Sequence, residues 1–328
     1  MTTYIYIYME HLALSFRKSL VDLKVDTDYY YLVNVLNSTN RFYFNIKVFV
    51  QNNKISNYSI HINGVNQHCM DLSIEGDPLD DRFSVFMEPN VAKFIKIRYD
   101  KKCNTDANLA RAEGTNMLLK TGLYLVKVFF PNVIKFRFED YSSRDCSQKS
   151  KYNVMSSKYY IALFGSTWYE ELYNAKLEDL QQRFHYTKYL ERLYDISLKN
   201  NISFDQLRAI FKPNMNEIEL NDFNELEKIY HKTSNFYDFF QKIKVAFNYN
   251  NKNLEDREKL CDLLAPWIHD FIDRIIFDNT NIILSKWIID IDDIIPIDID
   301  IILLTKPPIY QLGGKKYLYI FYNGTSIR

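Results

Sequence analysis

The chain has 328 residues, 47% of them hydrophobic, so it is long enough to bury one large core or two ordinary ones. Its 41 basic and 41 acidic residues cancel and are mixed along the sequence, which argues against a protein that coats nucleic acid through a basic stripe. Aspartates interrupt the most apolar stretch, residues 282–304, and no charged segment precedes Tyr4–Tyr8. We therefore expect neither a membrane span nor a secretory leader.

The composition is unusually aromatic. Tyr and Phe number 26 and 23, whereas Gly and Pro number only 8 each, a bias that indicates an A/T-rich coding sequence. The cysteines are widely spaced, without CxxC and without His at ligand spacing, so we expect reduced thiols and no metal site. They are Cys69, Cys103, Cys146 and Cys261. The histidines likewise form no HxH or HExxH pattern, and none is assigned a role.

The first part of the chain predicts an antiparallel sheet. Three segments rich in β-branched and aromatic residues are separated by Asn clusters at hairpin length. They are Tyr29–Leu36, Arg41–Gln51 and Ile55–Val65. Period-2 alternation in the second segment places Phe42, Phe44 and alternate residues after them on one buried face. A preceding helix and two further strands are expected at His11–Leu23, Phe83–Met87 and Lys93–Tyr99.

A strand, helix and strand unit is expected over about residues 93–140. From Thr115 the apolar residues follow a period of 3.6, until Pro131 stops the helix. The next run, Val133–Phe138, alternates as a strand does. Such a unit places its two strands in parallel. A short helix is expected at Ser157–Phe164, with Gly165 ending it.

After Lys176 the pattern becomes helical. Helices are expected at Leu177–Leu198, Phe204–Phe211, Leu220–Ile229, Phe236–Phe247, Leu254–Leu264 and Trp267–Phe277. Aromatic stripes at 238–241 and 266–272 predict the core of this helical domain. The tail, Ile288–Leu304 and Tyr317–Tyr322, is strand-like and either adds strands to the sheet or crosses the surface. The sequence thus predicts an α+β protein with a mixed, mostly antiparallel N-terminal sheet at 1–176, a helical domain at 177–287 and a tail at 288–328.

The loop before the predicted helix carries the most informative motif. Arg111-Ala-Glu-Gly-Thr-Asn opens that helix, and a helix N-terminus offers backbone N–H groups and a positive dipole end to a phosphate. Further along, Trp168-Tyr-Glu-Glu places Tyr169 where the chain can return beside the turn. A free Tyr has a pKa near 10, so it is protonated at neutral pH and can donate a proton.

This order of elements resembles the core of the GNAT-type N-acetyltransferases over roughly residues 83–177. In that family an Arg/Gln-x-x-Gly-x-Gly/Ala turn binds the pyrophosphate of acetyl-CoA, and a Tyr commonly protonates the leaving thiolate. The resemblance implies acetyl-CoA as cofactor and Tyr169 as general acid. It implies cofactor binding by Arg111, Gly114, Thr115 and Asn116, with Asn116 standing where the family has a small residue. Context singles out no general base among Glu88, Glu139 and Asp140.

Two functions follow as expectations. The first is a CoA-dependent acyltransferase that modifies an amine acceptor, which the helical domain selects. The second is a non-enzymatic structural or host-interaction protein that uses the fold as a scaffold and its aromatic helical surface for contacts. The composition is typical of large A/T-rich DNA viruses and of A/T-rich protists, so we expect an intracellular location, in the host cytoplasm or the virion. The alternating Asp and Ile residues of 290–300 indicate a polar strand face more simply than a cation site.

Overall fold

The computed structural model describes residues 2–21, 23–36, 38, 40–63, 68–75, 91–97, 113–146, 153–211, 220–249 and 254–305. The chain folds into two compact units, residues 1–138 together with 290–328, and residues 139–289. No helix in the described part of the chain is long and apolar enough to cross a membrane.

The described strands are β1 (Thr27–Val35), β2 (Arg41–Gln51), β3 (Lys54–Asn63), β4 (His68–Glu75), β5 (Val91–Ile97), β6 (Lys135–Glu139), β7 (Ser143–Asp145), β8 (Asn153–Met155), β9 (Lys176–Leu177), β10 (Lys286–Asp290) and β11 (Ile299–Leu304). The described helices are α1 (Thr2–Ser19), α2 (Glu113–Phe129), α3 (Ser156–Phe164), α4 (Trp168–Tyr173), α5 (Leu180–Leu190), α6 (Ile196–Asn201), α7 (Phe204–Phe211), α8 (Leu220–His231), α9 (Phe236–Ala246), α10 (Leu254–Leu264) and α11 (Ile268–Phe271). A π-helical turn, Ile272–Ile276, continues α11.

The sheet of the first unit runs in the order β11-β1-β2-β3-β4-β5-β6. Strands β1 to β5 pair antiparallel in chain order, which confirms the α+β class and the antiparallel N-terminal sheet. Strand β6 pairs with β5 in parallel, with α2 between them in sequence. Strand β11 pairs antiparallel with β1, so this part of the tail adds a strand to the sheet.

Strand β4 is absent from the sequence prediction. It alternates as a half-buried strand does, with Met70, Leu72 and Ile74 buried and Asp71 and Ser73 between them half-buried. The other strands were predicted from their many β-branched and aromatic residues, and the polar residues of β4 lower that fraction. The predicted strands at 83–87 and 317–322 lie outside the described residues.

One face of this sheet forms the apolar core of the first unit. Its side chains are Tyr31, Val33, Phe42, Phe44, Ile46, Val48, Tyr58, Ile60, Ile62, Met70, Leu72 and Ile74, all buried. Rings from α1 and α2 pack onto it. The Phe129 centroid lies 4.9 Å from Tyr31 and 5.3 Å from Phe44, and the Phe16 centroid lies 5.6 Å from Phe129. Burying rings of this size dominates core energetics.

The second unit is mainly helical. Its core includes the two predicted aromatic stripes, since Phe239, Phe240, Trp267 and Phe271 are all buried. Helix α3 ends as predicted at Gly165, which adopts φ 77° and donates its N–H to Ile161 O at 2.8 Å. The single helix predicted at 177–198 is wrong, because Asp195 caps a new helix by accepting from Leu198 N at 3.0 Å.

The division into units differs from the expected boundaries after residues 176 and 287. Segment 139–176 belongs to the helical unit, where the side chains of Gln241 and Lys244 in α9 both donate to Leu163 O at the end of α3. The tail from residue 290 belongs to the first unit because β11 completes its sheet. Both assignments depend on contacts between segments distant in sequence.

The expectation of reduced cysteines is wrong for the three cysteines that lie in the described residues. Cys146, after β7, and Cys261, in α10, form a disulfide with Cα atoms 5.2 Å apart, and Cys69 is disulfide-bonded as well. Both Cys146 and Cys261 are buried. Wide spacing in sequence did not reveal the pair, because the fold brings residues 115 positions apart into contact.

Candidate functional site

Strands β5 and β6 are the part of the first unit on which the resemblance rests. Among the described residues they are in parallel register over Val91–Lys93 and Lys135–Arg137. Both strands then continue, β5 to Ile97 and β6 to Glu139, without further register between them in this part of the chain.

Helix α2 lies between these two strands in sequence. It starts at Glu113, so Gly114 and Thr115 lie in its first turn and Asn116 follows directly. Backbone N–H groups of a first turn have no acceptor within their helix, and the dipole makes this end positive. The structure therefore places three of the four predicted cofactor residues together at one helix start. The fourth, Arg111, lies outside the described residues.

Tyr169 lies in α4 of the second unit, whereas Gly114, Thr115 and Asn116 belong to the first. A capping box begins this helix: Thr167 accepts from Glu170 N at 3.3 Å, and Glu170 accepts from Thr167 N at 2.7 Å. Burial raises the pKa of Tyr169, and the charge of Asp140 raises it further. The phenol is thus protonated at neutral pH but is a weaker acid than free tyrosine.

The general-base candidates are in different environments. Asp140 is buried, and burial raises the pKa of its carboxyl, although Ser142 N donates to it at 2.9 Å. Glu139, at the end of β6, is exposed. Glu88 lies outside the described residues. Burial thus distinguishes the carboxyl of Asp140 from that of Glu139.

A second arrangement lies on the polar face of the sheet in the first unit. The side chains of Ser59 and His61 in β3 share this face because they are two residues apart. Asp71 in β4 stands directly opposite His61. Ser59 Oγ lies 3.0 Å from His61 Nε2, and His61 Nδ1 lies 2.7 Å from Asp71 Oδ1. The three side chains thus form a continuous hydrogen-bonded chain.

The neighbouring strand β2 places a cation beside this arrangement. Lys47 in β2 stands opposite Ser59, whereas Ser73 in β4, opposite Ser59 on the other side, is not part of the chain of three. The Lys47 ammonium lies 4.9 Å from the centre of the Phe49 ring. The side chains of His61 and Asp71 are 22% and 17% exposed, so the group is reachable from solvent while its hydrogen bonds are partly shielded.

The sequence prediction missed these three residues. Ser-x-His inside a predicted strand was a usable signal, because strand alternation puts both side chains on the same face. Asp71 had no such signal, since β4 was not recognised and a cross-strand partner is set by register. His61 was not predicted because its spacing matches neither HxH nor HExxH, the two patterns that were considered for the histidines.

Comparisons of this chain with known protein families, with curated proteins and with solved structures find no match. Within the described ranges, no group of three or more His, Cys, Asp and Glu side chains is arranged to hold a metal ion.

Proposed function

We propose that the protein is a CoA-dependent acyltransferase whose first unit binds acetyl-CoA and whose acceptor is an amine. The observation that carries this proposal is the parallel pairing of β5 and β6, with α2 between them in sequence. In a strand, helix and parallel strand unit, phosphate-containing ligands bind at the carboxyl end of the first strand, where the helix begins.

The start of α2 supports the same proposal. First-turn N–H groups and the positive end of a helix of this length suit a pyrophosphate. Gly114 has no side chain, so phosphate oxygens can approach the backbone closely there. Arg111 supplies a guanidinium, whose planar set of donors suits phosphate oxygens.

Ligand binding is tested by the melting temperature of the full chain. Acetyl-CoA at 100 times its Kd stabilises a one-site protein by about 2.7 kcal/mol, so a clear upward shift is expected at millimolar ligand. Arg111→Ala and Gly114→Val are each expected to abolish that shift. Lys18→Ala is the matched control, because Lys18 is an exposed basic residue near the end of α1. If neither CoA nor acetyl-CoA shifts the unmodified chain, the proposal is wrong, and the non-enzymatic scaffold function becomes the better hypothesis.

The role of Tyr169 is tested separately from binding. A cysteine-like thiol has a pKa of about 8.5, so a tyrosine with a raised pKa donates its proton to a thiolate unfavourably unless the site changes on binding. If Tyr169 is the acid, Tyr169→Phe lowers kcat by about 10²-fold and leaves the acetyl-CoA Kd unchanged. Equal kcat for the two proteins would remove Tyr169 from the mechanism without affecting cofactor binding.

A further inference from the structure

The hydrogen-bond chain on the polar face of the sheet has the order of a nucleophile, a base and an orienting acid. Asp71 accepts from the Nδ1 side of His61, and this favours the tautomer that carries its proton on Nδ1. The lone pair of Nε2 then faces Ser59 Oγ, 3.0 Å away, and can accept the hydroxyl proton. A serine becomes nucleophilic when an adjacent base, itself oriented by a third group, takes its proton.

Strand geometry holds the three groups together. Directly opposite residues of an antiparallel pair have Cβ atoms about 5 Å apart, which places Asp71 within reach of His61. The alternate residues Tyr58, Ile60 and Ile62 are fully buried and fix β3 against the core. A site built on such strands is held more rigidly than one built on loops.

We infer that Ser59, His61 and Asp71 form a second catalytic site, which hydrolyses carboxylic esters through an acyl-serine intermediate. This activity goes beyond CoA-dependent acyl transfer and uses other residues. Ser59 and His61 are its catalytic residues, and Asp71 is a positioning residue. Lys47, in register opposite Ser59, is assigned to the negative charge that develops on the ester carbonyl oxygen.

The reaction balances with water as the only co-reactant. Ser59 Oγ bonds to the ester carbonyl carbon while its proton passes to His61 Nε2. The bond from this carbon to the alcohol oxygen breaks, and the alcohol leaves with the proton from Nε2. Water then attacks the acyl-serine ester and gives a proton to Nε2, which returns it to Ser59 as the carboxylic acid leaves. The products are one acid and one alcohol.

The first test is covalent labelling of the full chain with a biotinylated fluorophosphonate. Such a probe bonds to an activated serine oxygen and loses fluoride, and peptide mass spectrometry then locates the modified residue. Ser59 is expected to be the modified residue, and His61→Gln is expected to abolish the reaction. Ser73→Ala is the matched control, because Ser73 lies opposite Ser59 on the same face but outside the chain of three. Failure to label Ser59 in folded protein, verified by near-ultraviolet circular dichroism, would overturn the inference.

The second test is turnover of p-nitrophenyl acetate. More than one turnover per chain is expected, and kcat/KM is expected to fall at least ~10²-fold in Ser59→Ala but to stay unchanged in Ser73→Ala. Asp71→Asn should lower kcat with little change in KM, and Asp71→Glu should restore part of the loss, which a purely structural role would not produce. Hydrolysis by Ser59→Ala as fast as by the unmodified chain would also overturn the inference. Because no step uses Arg111, the variant Arg111→Ala should hydrolyse the ester at the normal rate. The esterase inference and the CoA proposal can therefore be disproved independently of each other.

Discussion

In the first unit, polar side chains lie on one face of a sheet, whereas in the second unit charged side chains are buried among helices. Within the described chain, the buried charged residues are Asp140, Lys199 and Lys244, all in the second unit. Among the described residues of the first unit, the buried polar side chain is that of Thr121 in α2, and it carries no charge. Strand alternation keeps polar side chains away from the apolar core without burying a charge, because successive residues point to opposite faces.

Packed helices create a different requirement. The last carbonyls of a helix have no partner within it, so a buried helix end needs an outside donor. Lys199 Nζ donates to Tyr230 O of α8 at 2.8 Å, and Lys244 Nζ donates to Leu163 O of α3 at 3.2 Å. Each ammonium also lies over an aromatic ring, 3.7 Å from the centre of Tyr230 and 4.1 Å from that of Phe164. The second unit therefore uses buried charged donors in addition to its apolar core.

The largest expected effect comes from the apolar face of the first unit. Phe44→Ala removes a fully buried ring beside Phe129 and should lower the free energy of unfolding by about 3–5 kcal/mol. Ser73→Ala, on the polar face, should change it by less than about 0.5 kcal/mol. Urea denaturation measures both. Similar losses in the two variants would contradict the separation of the faces.

The next effect comes from the disulfide of the second unit. Replacing both Cys146 and Cys261 by serine should cost about 2–5 kcal/mol, as is usual when a native disulfide is removed. Melting temperatures of the unmodified chain and the double variant measure the loss without reductant. Mass spectrometry of non-reduced peptides provides the control, because it should join the peptides of Cys146 and Cys261 only in the unmodified chain.

A smaller effect is expected from the buried lysine of α9. Burial lowers the pKa of Lys244, and its ammonium is one of two donors to Leu163 O. Lys244→Met keeps the length of the side chain but removes this donor, so a loss of about 1–3 kcal/mol is expected in urea denaturation. Lys242→Met is the matched control on the same helix, where the side chain is exposed and a small change is expected. Equal effects would show that the buried charge is not needed.

The smallest effect concerns pH. Burial, together with the charge of Lys158, lowers the pKa of His269 from its ordinary 6.5, and His269 Nε2 accepts from Met155 N at 2.8 Å. The folded state thus favours the neutral ring. Its contribution to stability is complete above pH 6.5 and declines as the pH falls below 6.5 toward the lower folded pKa.

This pH dependence is measured by chemical denaturation at several pH values through that interval. His269→Gln removes the titrating group and should flatten the curve there, whereas His231→Gln, which removes an exposed ring, should leave it unchanged. Identical slopes in the unmodified chain and in His269→Gln would rule out His269 as the cause.

Much of the secondary structure could be predicted because its causes are local. Helices α7 and α10 begin and end where the sequence predicts, and α3 ends at Gly165 because glycine adopts positive φ without a steric penalty. Strand β2 also has its predicted bounds, since its apolar alternation is unbroken. The two helices near residue 195 were predicted as one because both share a helical period, and a short 3-10 turn at Glu191–Leu193 and the Asp195 cap separate them.

The residues of the candidate sites also fall into two groups, those that local sequence places and those that only the tertiary structure places. The sequence by itself determined the alternation that puts Ser59 and His61 on one face, and the strand, turn and helix order that contains Gly114 and Thr115. Tertiary structure alone decided that Asp71 stands beside His61, that Cys146 meets Cys261, and that β11 joins β1. Periodicity acts within a few residues and can be recognised in a single chain. Register and long-range contacts depend on how the whole core packs, and local sequence does not specify them.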